Sequence, residues 1–183
     1  MTAGAEDLEA WLAEAYAPAY RTACLLLRDP VEAQDAVQEA FLRVWRFRTS
    51  VPAGEGRRPW LYRVVTNACL SRLRSERSWR AGRLPDGEAL LASAASAAPT
   101  PEAAAEAGGR AGDVLDALAA LPETLRVPVV LRYWAGLSER EIAVAIERRP
   151  GTVKSRLYDA RQRLALDPRL AGWVGDTDLE EAR

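Results

Sequence analysis

Histidine is absent from this 183-residue chain, and there are only two cysteines, one methionine and, at Lys154, one lysine. Without histidine, the usual general base near neutral pH and the commonest metal ligand are both missing. Cys24 and Cys69 lie far apart and form neither a C-x-x-C pair nor a zinc spacing. No glycine-rich phosphate loop is present, so the usual acid, base and nucleophile sets are lacking. No catalytic activity, cofactor or metal site is expected. No apolar run approaches the ~20 residues of a membrane helix. The start, MTAGAEDLEAWL, is acidic and lacks the basic and apolar segments of a signal peptide. A cytoplasmic protein without membrane insertion is expected. Each cysteine sits among apolar residues, so both are expected as buried free thiols. The net charge of −1 argues against a general polyanion binder, which carries an excess of basic residues.

What the chain does have is helical periodicity, with no strand-like alternation. Leu8, Trp11, Leu12, Ala15, Tyr16, Ala19, Tyr20, Ala23, Cys24 and Leu27 form an amphipathic stripe, with a kink or break expected at Pro18. A second helix opens at Asp29-Pro30, with Glu32 completing a capping-box pattern. Its stripe is Ala33, Ala36, Val37, Ala40, Phe41, Val44 and Trp45. Asp35, Gln38, Glu39 and Arg43 lie largely off it, as an ordinary wet face would. TSVPAGEGRRP reads as a loop, and the helical period resumes at WLYRVVTNACL. Residues 84–112 are rich in alanine, serine, proline and glycine and read as a flexible acidic linker. Helical pattern returns at 113–166, with a boundary at Leu121-Pro122-Glu123, a stop at Gly136 and a capping box at Ser138 and Glu141. An acidic tail follows over 167–183. The expected fold class is all-α, with two small helical domains (1–83 and 113–166) joined by the linker.

Two stretches carry functional signals. In LSEREIAVAIERRPGTVKSRLYDARQRL, a short break at Glu147-Arg148-Arg149 separates two helices, as a helix-turn-helix requires. Ile142, Ala145 and Ile146 form one inner face; Val153, Leu157, Ala160 and Leu164 form the other. Thr152, Ser155, Arg156, Asp159 and Arg163 turn outward, with Lys154 and Tyr158 on the flanks. Hydroxyls and basic groups there suit the major groove; the plain alternative is a helical hairpin with a solvated basic face. Between Arg57 and Arg83, eight arginines face Glu76 alone. Interleaved with Trp60, Tyr62 and Trp79, they suit single-stranded nucleic acid, although Trp60 reads better as core than as a stacking platform.

Taken together, these stretches resemble the extracytoplasmic-function (ECF, group IV) sigma factors of bacterial RNA polymerase. RDPVEAQDAVQEAFLRVWRF resembles region 2.1–2.2, PWLYRVVTNACLSRLR region 2.4, and LAALPETLRVPVVLRYWAGLSEREIAVAIERRPGTVKSRLYDARQRL region 4. The resemblance implies a non-catalytic sigma factor for transcription initiation. Asp35, Gln38, Glu39, Phe41 and Arg43 would bind the clamp helices of the largest subunit of the core polymerase. Arg48, Arg57, Arg58, Arg63, Asn67 and Arg74 would capture and read the opened −10 element. Thr152, Lys154, Ser155, Arg156, Tyr158 and Arg161 would read the −35 element, while this domain sits on the flap of the second-largest subunit. The linker would thread the polymerase cleft. An anti-sigma partner, common in this group, is suggested as well.

Three positions depart from the family pattern. Ser71 stands where an aspartate is usual, Glu147 where a glycine is common, and Asp159 where relatives are often basic. A left-handed non-glycine residue costs about 1–2 kcal/mol, so the turn at Glu147 is expected to differ in shape. Asp159 could accept from cytosine N4 or pair with Arg163 one turn on. The competing reading is a free-standing helix-turn-helix regulator with a helical sensing domain. It predicts duplex binding without polymerase and leaves the one-signed arginine segment unexplained.

Overall fold

The computed structural model describes residues 3–82 and 110–171, with side chains over 7–76 and 111–171. Trp79, Arg77, Arg80 and Arg83, most of the expected linker, and the tail from 172 onward lie outside these described residues and side chains. The fold class is all-α, as expected: no strand occurs among the described residues. Helix α1 spans Ala3–Leu27, α2 Pro30–Arg46 and α3 Arg57–Gly82; α4 spans Arg110–Ala120, α5 Glu123–Tyr133, α6 Glu139–Ala145 and α7 Pro150–Ala165. Short 3-10 turns occupy Arg48–Ser50, Gly54–Gly56 and Pro168–Leu170.

Helix α1 runs through Pro18 without the break the sequence suggested. Proline removes one amide from the ladder, but Leu8 and Leu12 before it, and Ala19, Ala23 and Leu26 after it, are all buried in the same core. Tertiary packing holds the two halves in line. The Thr22 hydroxyl, itself buried, donates to the Pro18 carbonyl at 2.9 Å.

The start of α2 follows its sequence signals in part. The Asp29 carboxylate accepts from the amides of Val31 and Glu32 at 2.8 and 3.0 Å, and Pro30 occupies the first helical position. Glu32, however, directs its carboxylate across to Arg72 of α3 at 2.7 Å. Ala33, Ala36, Val37, Ala40 and Val44 face inward. Trp45, expected on that stripe, is 41% exposed. It lies one position round the helix from Val44, and Arg48 covers its ring at 5.8 Å from the centroid.

Helix α3 starts at Arg57, two residues before Pro59, so Arg57 and Arg58 belong to its first turn rather than to the loop. Proline is tolerated there because first-turn amides have no intrahelical acceptor. Trp60 is half-buried against the core.

In the second half, α4 and α5 part at Leu121-Pro122, and α5 stops before Gly136, whose φ of +63° requires the freedom of glycine. Ser138 and Glu141 form the expected reciprocal capping box at α6. That helix ends in a Schellman pattern, in which the amides of Glu147 and Arg148 donate back to the carbonyls of Val144 and Ala143. Glu147 supplies its left-handed residue, at φ +53°.

Leu26, Val37, Val44, Leu61 and Val65 join Leu131, Leu137, Ile142 and Val153 in one continuous hydrophobic cluster. Helix α6 packs along α3, and α5 packs on α1. The two helical groups that flank residues 83–109 therefore share a core.

Candidate nucleic-acid and polymerase interface

Three surfaces matter. On α2, the outermost stripe is Val31, Asp35, Gln38, Leu42 and Trp45, a mixture of apolar and polar side chains. Asp35, Gln38, Glu39 and Arg43 are exposed, as are Val31 and Leu42. Glu39 pairs with Arg43 at 3.1 Å and reaches Arg72 at 3.6 Å. Phe41 differs from its neighbours: it is half-buried, with its ring set edge-on to Tyr16 at 5.9 Å. Sequence reasoning named the polar members of this face and missed Val31 and Leu42. Their spacing on the wet side of the helix was the available signal.

The arginine-rich surface is heavily engaged within the chain. Arg57 pairs with Asp7 at 3.0 Å and lies over the Trp11 ring. The Arg58 guanidinium donates to the Ala135 carbonyl, at the end of α5. Arg63 pairs with Glu147, in the turn before α7, at 3.3 Å. Arg48 donates weakly to the Trp45 carbonyl at 3.4 Å, and Arg74 Nε donates to the Leu70 carbonyl at 3.1 Å. Asn67 and Ser71 are exposed on α3. The sequence showed a run of arginines opposed by Glu76 alone, but it could not show that Arg58 and Arg63 meet residues far along the chain.

The third surface is α7. Val153, Leu157 and Ala160 are buried, and Leu164 is partly so. Directly opposite lie Ser155 and Gln162, with Tyr158 and Asp159 on either side of them, all exposed. Thr152, Arg156 and Arg163 form one flank of this ridge; Lys154 and Arg161 form the other. The Ser155 hydroxyl donates to the Thr152 carbonyl at 3.1 Å. The result is a narrow ridge with hydrogen-bonding capacity, bordered by cations on both sides, with dimensions suited to the ≈12 Å major groove.

Local electrostatics add two constraints. The Glu141 carboxyl is held below its ordinary range, chiefly by the Ser138 amide and then by the Ser138 hydroxyl. Burial pushes the Cys69 thiol up to about 12. Cys24 is raised by burial as well, although it is only half-buried, so the expectation of two buried thiols holds fully for Cys69 alone.

Residues 11–79 match the family "Sigma-70 region 2", and residues 111–164 match "Sigma-70, region 4". An RNA polymerase sigma-H factor of Pseudomonas aeruginosa is 31% identical, with 79% of this chain and 78% of the relative aligned. An RNA polymerase sigma-E factor of Streptomyces coelicolor is 34% identical over 79% and 76% of the two chains. The ECF RNA polymerase sigma factor SigE of Mycolicibacterium smegmatis is also 34% identical; there the match covers 79% of this chain and 55% of the relative. Among solved structures, the sigma factor RpoE, crystallised with the anti-sigma factor NepR from Bartonella quintana, superposes with a TM-score of 0.66. That comparison, at 21% identity, covers 87% of this chain and 94% of the other. CnrH in complex with the cytosolic domain of CnrY gives 0.58 at 20% identity, over 86% and 84%. These two structures share the all-helical fold.

A paired region 2 and region 4, in that order on one all-α chain, defines an RNA polymerase sigma factor. The chain belongs to the extracytoplasmic-function group of that family.

Proposed function

We propose that this chain binds core RNA polymerase, directs it to specific promoters and assists promoter melting, with no catalysis of its own. The observation that carries the reading is the combination, on one chain, of an arginine-rich α3, which brings Arg57, Arg58, Arg63, Arg72 and Arg74 within about five turns, and a cation-bordered ridge on α7. Region 2 (1–83) would dock on the clamp helices of the largest polymerase subunit through Asp35, Gln38, Glu39, Phe41 and Arg43, with Leu42 and Trp45 adding apolar contact. Arg48, Arg57, Arg58, Arg63, Asn67 and Arg74 would hold and read the opened −10 strand. Region 4 (113–166) would sit on the flap of the second-largest subunit and read the −35 element through Thr152, Lys154, Ser155, Arg156, Tyr158 and Arg161. The acidic linker would lie in a channel that otherwise holds nucleic acid.

Because Arg58 and Arg63 contact the turns that follow α5 and α6 in region 4, promoter reading requires α6 and its flanking turns to leave α3. The polymerase would supply that opening by holding the two regions apart. A near-neutral net charge then suits the task, since two small DNA sites gain little affinity until something fixes their register. The chain would work in the cytoplasm, and among the described residues no helix is long and apolar enough to cross a membrane. An anti-sigma protein, as in the RpoE–NepR and CnrH–CnrY structures, would act on the closed arrangement.

The test is transcription in vitro with core polymerase on genomic DNA, mapping RNA starts with and without the chain. New starts that share two upstream elements at fixed spacing are the expected result. No new starts, together with tight duplex binding by the chain alone, would overturn the reading in favour of a free-standing regulator.

A further inference from the structure

The ridge of α7 carries one acidic residue among cations. Asp159 is exposed on the outward half of the helix, about 50° round from the point opposite the buried Val153–Leu157–Ala160 face, on the side of Arg163. Arg156 precedes it by three residues and Arg163 follows it by four, spacings at which ion pairs form on a helix surface. No ion pair links Asp159 to either one among the described residues. The carboxylate therefore stands unpartnered between the crest of Ser155 and Gln162 and the cations of the Arg156–Arg163 flank.

This division has a direct consequence in a major groove. Lys154 and Arg161 on one side, and Arg156 and Arg163 on the other, meet phosphates on the groove walls, where an acid would be repelled. The crest meets the groove floor, where there are no phosphates. An ionised carboxylate only accepts hydrogen bonds. Cytosine N4 offers a donor there; guanine offers two acceptors, and thymine an acceptor and a methyl group. Adenine offers a donor at N6 but sets the N7 acceptor beside it, which opposes a carboxylate.

Resting on the sigma-factor reading above, we infer that Asp159 is a specificity-determining residue that selects cytosine within the −35 element. Ser155 lies one turn before it, ~6 Å along the helix axis at 1.5 Å per residue.

The experiment is in vitro transcription by the holoenzyme from a promoter library randomised across the −35 element, with RNA output sequenced for wild type, Asp159→Asn, Asp159→Ala and Arg156→Ala. Wild type should show one position enriched for cytosine, by roughly 5- to 150-fold over the other bases, the range of a good base contact. Asp159→Asn should shift that position to adenine, because an amide pairs bidentately with N6 and N7, and Asp159→Ala should leave it unselective. If wild type, Asp159→Asn and Asp159→Ala share one −35 preference, the assignment of Asp159 is wrong and the sigma-factor reading stands; Arg156→Ala, a flank contact, should lower output without moving that preference. If no form depends on the −35 element, both fall together.

Discussion

Arg63 of α3 and Glu147 of the helix-turn-helix break face each other at 3.3 Å, across 84 residues of sequence. Glu147, the left-handed residue of the Schellman turn, has a backbone φ of +53°. The pair is partly exposed, with side-chain exposures of 38% and 64%, so it contributes at most ~1 kcal/mol. The left-handed backbone costs about 1–2 kcal/mol, and the buried surface of α6 on α3 accounts for the rest of the closed arrangement.

Glu147→Gly removes the strain and the ion pair together, while glycine loses up to ~1 kcal/mol through its freer unfolded chain. These effects nearly cancel, so thermal unfolding should move by no more than a few degrees. Arg63 is released, and binding of single-stranded −10 DNA by the free chain should rise severalfold. Unchanged DNA binding at unchanged stability would show that the pair does not restrain Arg63.

The capping box of α6 gives a pH dependence. Glu141 has a folded pKa lowered by its bonds from Ser138, so its contribution is present above the unfolded carboxylate range near ~4.3. It is lost as pH falls through the lower folded value. Ser138→Ala should cost about 1 kcal/mol at neutral pH, and the loss should shrink in acid. Denaturant melts at pH 7 and pH 3 measure it; an equal loss at both would remove Glu141 from the account.

The Cys69 thiol, pushed up to about 12 by burial, is protonated at pH 7 to all but roughly one part in 100,000, and the thiolate is the reactive form. Labelling of Cys69 by a thiol reagent should therefore track unfolding, in a Cys24→Ser background that leaves Cys69 alone. Fast labelling of the native chain would mean that the core opens there.

Leu42 and Trp45, 61% and 41% exposed, touch little that folding needs. Leu42→Glu should lower core-polymerase affinity about tenfold or more in a competition assay, with thermal unfolding unchanged. A matching drop in stability would instead assign the residue to the fold.

Much of this was legible in the sequence. The caps at Asp29 and Ser138, the breaks at Pro122 and Gly136, and the inner faces of α2 and α7 are local features. They depend on residues within one or two turns, which periodicity and capping chemistry report directly. What escaped was set by distant partners. Pro18 does not break α1 because the core holds both sides. Glu32 bonds Arg72 instead of closing its own cap box, and Trp45 turns outward beneath Arg48. Arg58 finds a carbonyl 77 residues away. The absence of an Asp159 ion pair was equally hidden, since spacing alone allowed one with Arg163.

The shared core has a further consequence. Because α5 and α6 lie against α1 and α3, the connection through residues 83–109 is not what keeps the two halves together. A chain cut once in that stretch should still travel as a single particle on a sizing column. On the proposed opening, the connecting segment would act after separation: it would keep the released halves at high effective concentration and so set how fast the molecule recloses once the polymerase lets go.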